Sequence, residues 1–154
     1  MDLDDIITTD SVIPRLKASS KKQVLQELAR KASEISGLEQ REVFDVLLER
    51  ERLGTTGVGG GIAIPHGKLA ALDRLRGVFA RADRAIDFDS IDGRPVDLIF
   101  LLLAPEGAGA DHLKALARVS KLLRDPGTCD KLRGCDTKDA IFALLTQSTS
   151  SNAA

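Results

Sequence analysis

The sequence predicts an α/β fold, a single-domain sandwich in which a mixed β-sheet is flanked by helices on both sides. Three observations predict it. The segment "VDLIFLLLA" at 96–104 is apolar without alternation, as a strand covered on both faces must be. Amphipathic helical patterns stand on either side of it in the chain. The strands do not alternate one for one with helices, which argues for a mixed rather than an all-parallel sheet. At 154 residues the chain suits one domain, expected over 1–146, with 147–154 a disordered, polar tail ("TQSTSSNAA" from Thr146).

The first helix follows Ser20. Ser20-Lys21-Lys22-Gln23 reads as a capping box ahead of Val24, Leu25, Leu28, Ala29, Ala32 and Ile35, and Gly37 is the expected stop. A second helix, from about Glu39 to Glu51, buries Val43, Phe44, Leu47 and Leu48 and places Arg50 and Arg52 at its C-terminal end, where cations suit the helix dipole. "IAI" at 62–64 is long enough only for a brief strand. "GVFARA" at 77–82 is a strand, and "DSIDGRP" before the central strand is turn chemistry. The spacing then predicts a helix with Asp111 as N-cap, running to about Arg124 and burying Leu113, Leu116, Ala117, Ser120 and Leu123. Asp125-Pro126-Gly127 ends it. Short helices near 128–133 and 137–145 complete the domain, the last burying Ala140, Ile141, Leu144 and Leu145.

Composition narrows the function classes. A net charge of -1 supplies no general attraction to nucleic acid or to anionic lipid. The apolar run "LIFLLLA" at 98–104 is far short of the ~20 residues that span a bilayer, and "MDLDDII" is acidic where a signal peptide is basic, so a cytosolic place is expected. Cys129 and Cys135 match neither a redox pair nor a common zinc spacing and read as reduced thiols.

The stretch "TTGVGGGIAIPHGK" at 55–68 holds five glycines, a proline and one of two histidines. It fails both nucleotide templates. Gly57-Val58-Gly59-Gly60-Gly61-Ile62 has Ile where the dinucleotide fingerprint needs Gly, and Gly67-Lys68 is followed by Leu69 rather than Ser or Thr. What remains is a loop leading into Ile62 and Ile64, which point one way into the core, followed by Pro65, which stiffens the approach to His66. A neutral imidazole, present in roughly three quarters of molecules at pH 7 when its pKa is ordinary, is a nucleophile able to accept a phosphoryl group. A turn histidine that only hydrogen-bonds locally fits the same residues. His112, in the first turn of a helix, lies where an anion is favoured; an exposed surface histidine is the other reading. Arg50 carries a planar fork suited to phosphate, or is a solvated helix-end cation.

Taken together, "RERLGTTGVGGGIAIPHGKL" and "PVDLIFLLLAPEGAGADHLKALARVSKLL" closely resemble the IIA proteins of the fructose and mannitol type in the bacterial phosphotransferase system. The resemblance extends over nearly the whole chain. The segments "GIAIPHGKL" and "AIDFDSIDGRPVDLIFLLLAP", with no IIB or IIC portion, place it nearest the nitrogen-regulatory branch. The resemblance implies that His66 is phosphorylated on Nε2 by an HPr-like phosphocarrier charged by an upstream enzyme I. It implies that His112 stabilises the phosphate and that Arg50 clamps it, with Arg52 close enough to compete for that role. It implies no cofactor, and no metal ligand set is visible. The expected role is regulation of partners, such as potassium transport or sensor kinase proteins, according to phosphorylation state. The alternatives are a sugar-transport IIA component serving a IIB partner, and an interaction module that is never phosphorylated. Gly60 stands where relatives commonly carry Asn or Glu, so backbone N–H groups are expected to serve the phosphate instead. Val58, Ile62, Leu69 and Leu113 are the candidate apolar rim for a docking carrier.

Overall fold

The computed structural model describes residues 2–151. Two 3-10 turns, Leu3–Asp5 and Thr9–Ser11, lead into β1 (Val12–Leu16), followed by α1 (Lys21–Ser36) and α2 (Gln40–Leu53). Three short strands come next: β2 (Gly57–Gly59), β3 (Ile62–Ala63) and β4 (His66–Leu69). Two long strands, β5 (Arg76–Ile86) and β6 (Val96–Pro105), precede α3 (Ala110–Leu123), α4 (Pro126–Arg133) and α5 (Lys138–Ser151).

The sheet is mixed, as the sequence predicts. Its order is β1-β5-β6-β3-β2, with β4 also pairing β6. β5 and β6 pair antiparallel, as do β2 and β3, while β1 with β5 and β3 and β4 with β6 are parallel. The period-2 geometry of β6 divides the interior. Ile99, Leu101 and Leu103 join Val24, Leu25 and Leu28 of α1 and Val43 and Leu47 of α2 in one core. Leu98, Phe100 and Leu102 join Ala115 and Val119 of α3, Leu132 of α4 and Ile141 and Leu145 of α5 in the other. An apolar residue is therefore needed at every position from Leu98 to Ala104, which explains the missing alternation there. In the second core the rings of Phe79 and Phe100 meet edge to face, with centroids 6.3 Å apart.

Several elements differ from expectation, each for a physical reason. β1 escapes prediction because Pro14 interrupts "VIPRL"; the proline is tolerated because β1 is an edge strand, paired among the described residues with β5 alone. β5 runs on to Ile86 through a register shift after Arg81, where exposed Asp83 and Arg84 hide it. Ser20 caps α1 by accepting from the Gln23 N–H at 3.2 Å, but Gln23 Oε1 accepts from the Ser19 N–H (2.8 Å) rather than reaching Ser20. Gly37 ends that helix in the left-handed region at φ 75°.

The N-cap of α3 is Gly109, at φ 50°, and not Asp111, which is an exposed first-turn residue. Packing on β6 turns His112, Ala115, Val119, Leu122 and Leu123 inward, while Leu113 and Ala117 face solvent. Pro126 opens α4 instead of only ending α3, because a first-turn proline has no helical N–H bond to lose. The expected tail meets α5, which continues from the buried Ile141 and Leu145 through Gln147 to Ser151; residues 152–154 lie outside the described residues. Among the described residues no helix is long and apolar enough to cross a membrane.

Candidate functional site

Arg50 sits in the last turn of α2, and α2 lies tight against β4. A Cβ built on Gly67 would come within 2.5 Å of Val46 Cγ1, so only glycine lets this helix approach the strand that carries His66. The Arg50 Nη1 donates to the Gly54 carbonyl at 2.9 Å, which turns the guanidinium back over the helix end. From there its Nε–H reaches Nε2 of His66 at 3.4 Å. Arg52 points away, exposed and paired with Glu49 at 3.4 Å.

His66 opens β4, half-buried and in register with Leu102 of β6. The Leu102 N–H donates to the Pro65 carbonyl at 3.0 Å, so the residue before the histidine is tied to the central strand. Ile62 and Ile64 are both buried in the second core, as their spacing predicts. The Nδ1 of His66 lies 2.9 Å from the Ile64 carbonyl. A carbonyl only accepts, so Nδ1 carries the proton and the lone pair belongs to Nε2. That lone pair faces Arg50.

His112 is the third residue of α3, and the structure brings it to His66 with ring centroids 5.9 Å apart and planes at 66°. It is 6% exposed, and its Nε2 is buried without a hydrogen-bond partner among the described residues. Burial, and then the neighbouring His66 and Lys68 side chains, hold its pKa below the ordinary histidine value. A neutral ring with an unsatisfied nitrogen beside a nucleophilic nitrogen suits a site that receives a charged oxygen.

The glycine-rich hairpin is less open than the sequence suggests. Its Gly60 N–H donates to Asp92 Oδ2 at 2.9 Å, and its Gly60 carbonyl accepts from Arg133 Nη2 at 2.9 Å. Arg133 is itself held in a two-pronged pair with Asp97, at 2.8 and 3.1 Å. The Gly60 N–H is therefore occupied and is not available to a phosphate. The apolar rim also divides: Leu113 and Val58 are exposed, whereas Ile62 and Leu69 are core residues, 4% and 2% exposed. Strand alternation turns these two inward.

Sequence reasoning missed Glu51, Thr56 and Lys21. Glu51 is buried and paired with Lys21 Nζ at 2.7 Å, and it accepts from both the N–H and the hydroxyl of Thr56. The signal was present: Glu51 continues the i, i+4 stripe of Val43 and Leu47, and a carboxylate on a buried stripe demands a partner. Cys129 and Cys135 are unpaired, and Cys129 donates to the Leu123 carbonyl at 3.2 Å.

Residues 5–148 match the family model described as the phosphoenolpyruvate-dependent sugar phosphotransferase system, EIIA 2. The chain belongs to this family. Within the EIIA family it is 59% identical over 145 residues to a nitrogen regulatory protein of Bradyrhizobium diazoefficiens, covering 94% of this chain and 95% of that protein. It is 38% identical to the nitrogen regulatory protein of Escherichia coli, over 95% of this chain and 90% of the relative. The crystal structure of the nitrogen regulatory protein IIA-Ntr from Neisseria meningitidis superposes with a TM-score of 0.89 at 33% identity, covering 94% of this chain and 99% of the other. The EIIA fold, with its mixed sheet between helical layers, is thus shared over nearly the whole molecule.

Proposed function

We propose that this protein is a regulatory phosphocarrier of the nitrogen branch of the phosphotransferase system, with His66 as the phosphoryl acceptor. The observation that carries this is the Nε2 lone pair, directed by the Nδ1–H bond to Ile64, facing Arg50 and on a ring 5.9 Å from that of His112. The family and its nitrogen-regulatory relatives support the same reading.

Nε2 of His66 attacks the phosphorus of a phosphohistidine on an HPr-like carrier, itself charged through an enzyme I. One N–P bond forms as the other breaks, and the departing electron pair returns to the carrier's imidazole. The proton on Nδ1 stays against the Ile64 carbonyl, so Nε2 needs no deprotonation. Arg50 and His112 supply donors to the oxygens of the transferring group, the positioning and charge stabilisation on which phosphoryl transfer depends. Exposed Leu113 and Val58 form the apolar rim on which the carrier docks.

The phosphoryl group adds about 1.5–2 negative charges to this apolar surface, enough to exchange one set of partners for another. Such partners include potassium transport and sensor kinase proteins, and a cytosolic place fits this role.

The test is intact mass after incubation with phosphoenolpyruvate, enzyme I and the HPr-like carrier. A gain of about 80 Da, acid-labile and absent in His66→Ala, is the expected result. No gain with active upstream proteins would leave a pure interaction module. Efficient onward transfer to a sugar-specific IIB protein would replace the regulatory role with transport.

A further inference from the structure

A chain of bonds runs from the buried face of α2 to the ring of His66. Glu51, 9% exposed, pairs with Lys21 Nζ at 2.7 Å and accepts from the N–H of Thr56 at 3.3 Å and from its hydroxyl. Lys21 is held in turn over the Phe88 ring, 5.1 Å from its centroid. Thr56 is 4% exposed, and its carbonyl accepts the Ile64 N–H at 3.0 Å. The Ile64 carbonyl then accepts the Nδ1–H of His66 at 2.9 Å.

We infer that Glu51 is a positioning residue that acts through Thr56 and Ile64 to hold His66 in the tautomer whose Nε2 is the nucleophile. This rests on the reading of His66 as phosphoryl acceptor. Arg50 and Glu51 are neighbours on α2, so one helix end performs two tasks. Arg50 meets the reactive nitrogen, and Glu51 anchors the backbone that orients the other nitrogen. A carboxylate anchored on both its oxygens gives Thr56 two bonds and so fixes the direction of its carbonyl. Without them, β3 and Pro65 stay tied to β6, but Thr56 faces Ile64 from a short β2 ladder to which Gly57 and Gly59 give little stiffness. The Ile64 carbonyl would lose its aim, and the imidazole would exchange between tautomers. The comparable partners of metal-bound histidines fix ring orientation and tautomer in this way, and removing one costs about 10- to 100-fold in metal affinity or activity.

The experiment pairs the imidazole 15N signals of His66 with the rate of phosphorylation by enzyme I and the HPr-like carrier. Wild type should show the proton on Nδ1. Thr56→Val and Glu51→Ala should lose that pattern and slow phosphorylation about 10- to 100-fold, while Thr56→Ser should keep both. Should Glu51→Ala fail to fold, Thr56→Val, which removes the hydroxyl bond to Glu51 in a side chain of the same shape, carries the test. Phe79→Leu, in the same core as Ile64 but outside the chain of bonds, should lower the thermal midpoint and leave tautomer and rate alone, which separates positioning from stability. Folded Glu51 and Thr56 variants with wild-type signals and rate would overturn the inference, as would wild-type His66 protonated on Nε2. Wild type that is never phosphorylated would instead defeat the phosphocarrier reading, and the 15N signals would still judge the relay.

Discussion

The Nε–H of Arg50 points at the Nε2 of His66 across 3.4 Å, from a helix end to the first residue of a strand. On the phosphocarrier reading, Arg50 is placed to donate to the oxygens of a phosphoryl group at this nitrogen. Arg50→Ala removes a charge-assisted donor worth about 1.5–3 kcal/mol, so phosphorylation of His66 should slow roughly 10- to 150-fold with little change in fold. Arg50→Lys should recover only part of the rate, because an ammonium lacks the planar fork. Arg52→Ala, at the exposed neighbour, should leave the rate unchanged. Quenched-flow transfer from the phosphorylated carrier measures all three.

His112 predicts how stability depends on pH. Burial lowers its pKa below the unfolded-chain value of 6.5. Below pH 6.5 the unfolded chain therefore binds the proton that folded His112 refuses, and stability falls as pH drops from 6.5 toward the lowered value. Thermal midpoints measured from pH 7 to about 5 should decline, and His112→Gln, which has no proton to take up, should flatten the decline. Phosphorylated protein should also decline less, because negative charge beside His112 raises its pKa.

Gly67→Ala tests the close approach of α2. The new methyl meets Val46 Cγ1 at 2.5 Å, so the Val46 side chain, or the helix that carries it and Arg50, must shift. Denaturant unfolding should show a loss of about 1–3 kcal/mol, with slower phosphorylation. Adding Val46→Ala should restore part of both.

At Gly60 the constraint is conformational. Its φ of 67° lies in the left-handed region, while the space around a Cβ is open. Gly60→Asn should keep the N–H bond to Asp92 and lose no more than about 1–2 kcal/mol, with Ala at the upper end, because Asn tolerates this backbone best among side-chain-bearing residues. Chemical denaturation of the two variants decides.

The rim residues separate docking from folding. Leu113→Asp and Val58→Asp should weaken transfer from the carrier while circular dichroism stays that of wild type. Ile62→Asp and Leu69→Asp should abolish the folded signal instead, since they bury an unpaired charge.

Local and periodic information in the chain determined a great deal. The uninterrupted apolar run of β6, the stripes of α1 and α2 and the Gly37 stop fix a two-sided sandwich, because burial on both faces and 3.6-residue spacing are properties of neighbours in sequence. The glycines and proline around His66 marked that residue for the same reason. Only the tertiary structure decided what lies far apart in sequence. It brought His112 of α3 to 5.9 Å from His66, chose Arg50 over Arg52, and joined Asp92 and Arg133 to the hairpin tip. It also set which face of α3 packs on the sheet, which leaves Leu113 exposed rather than buried. These outcomes depend on strand order and on how each helix is turned against the sheet. A pattern read along one segment contains neither, because partners from opposite ends of the chain set both.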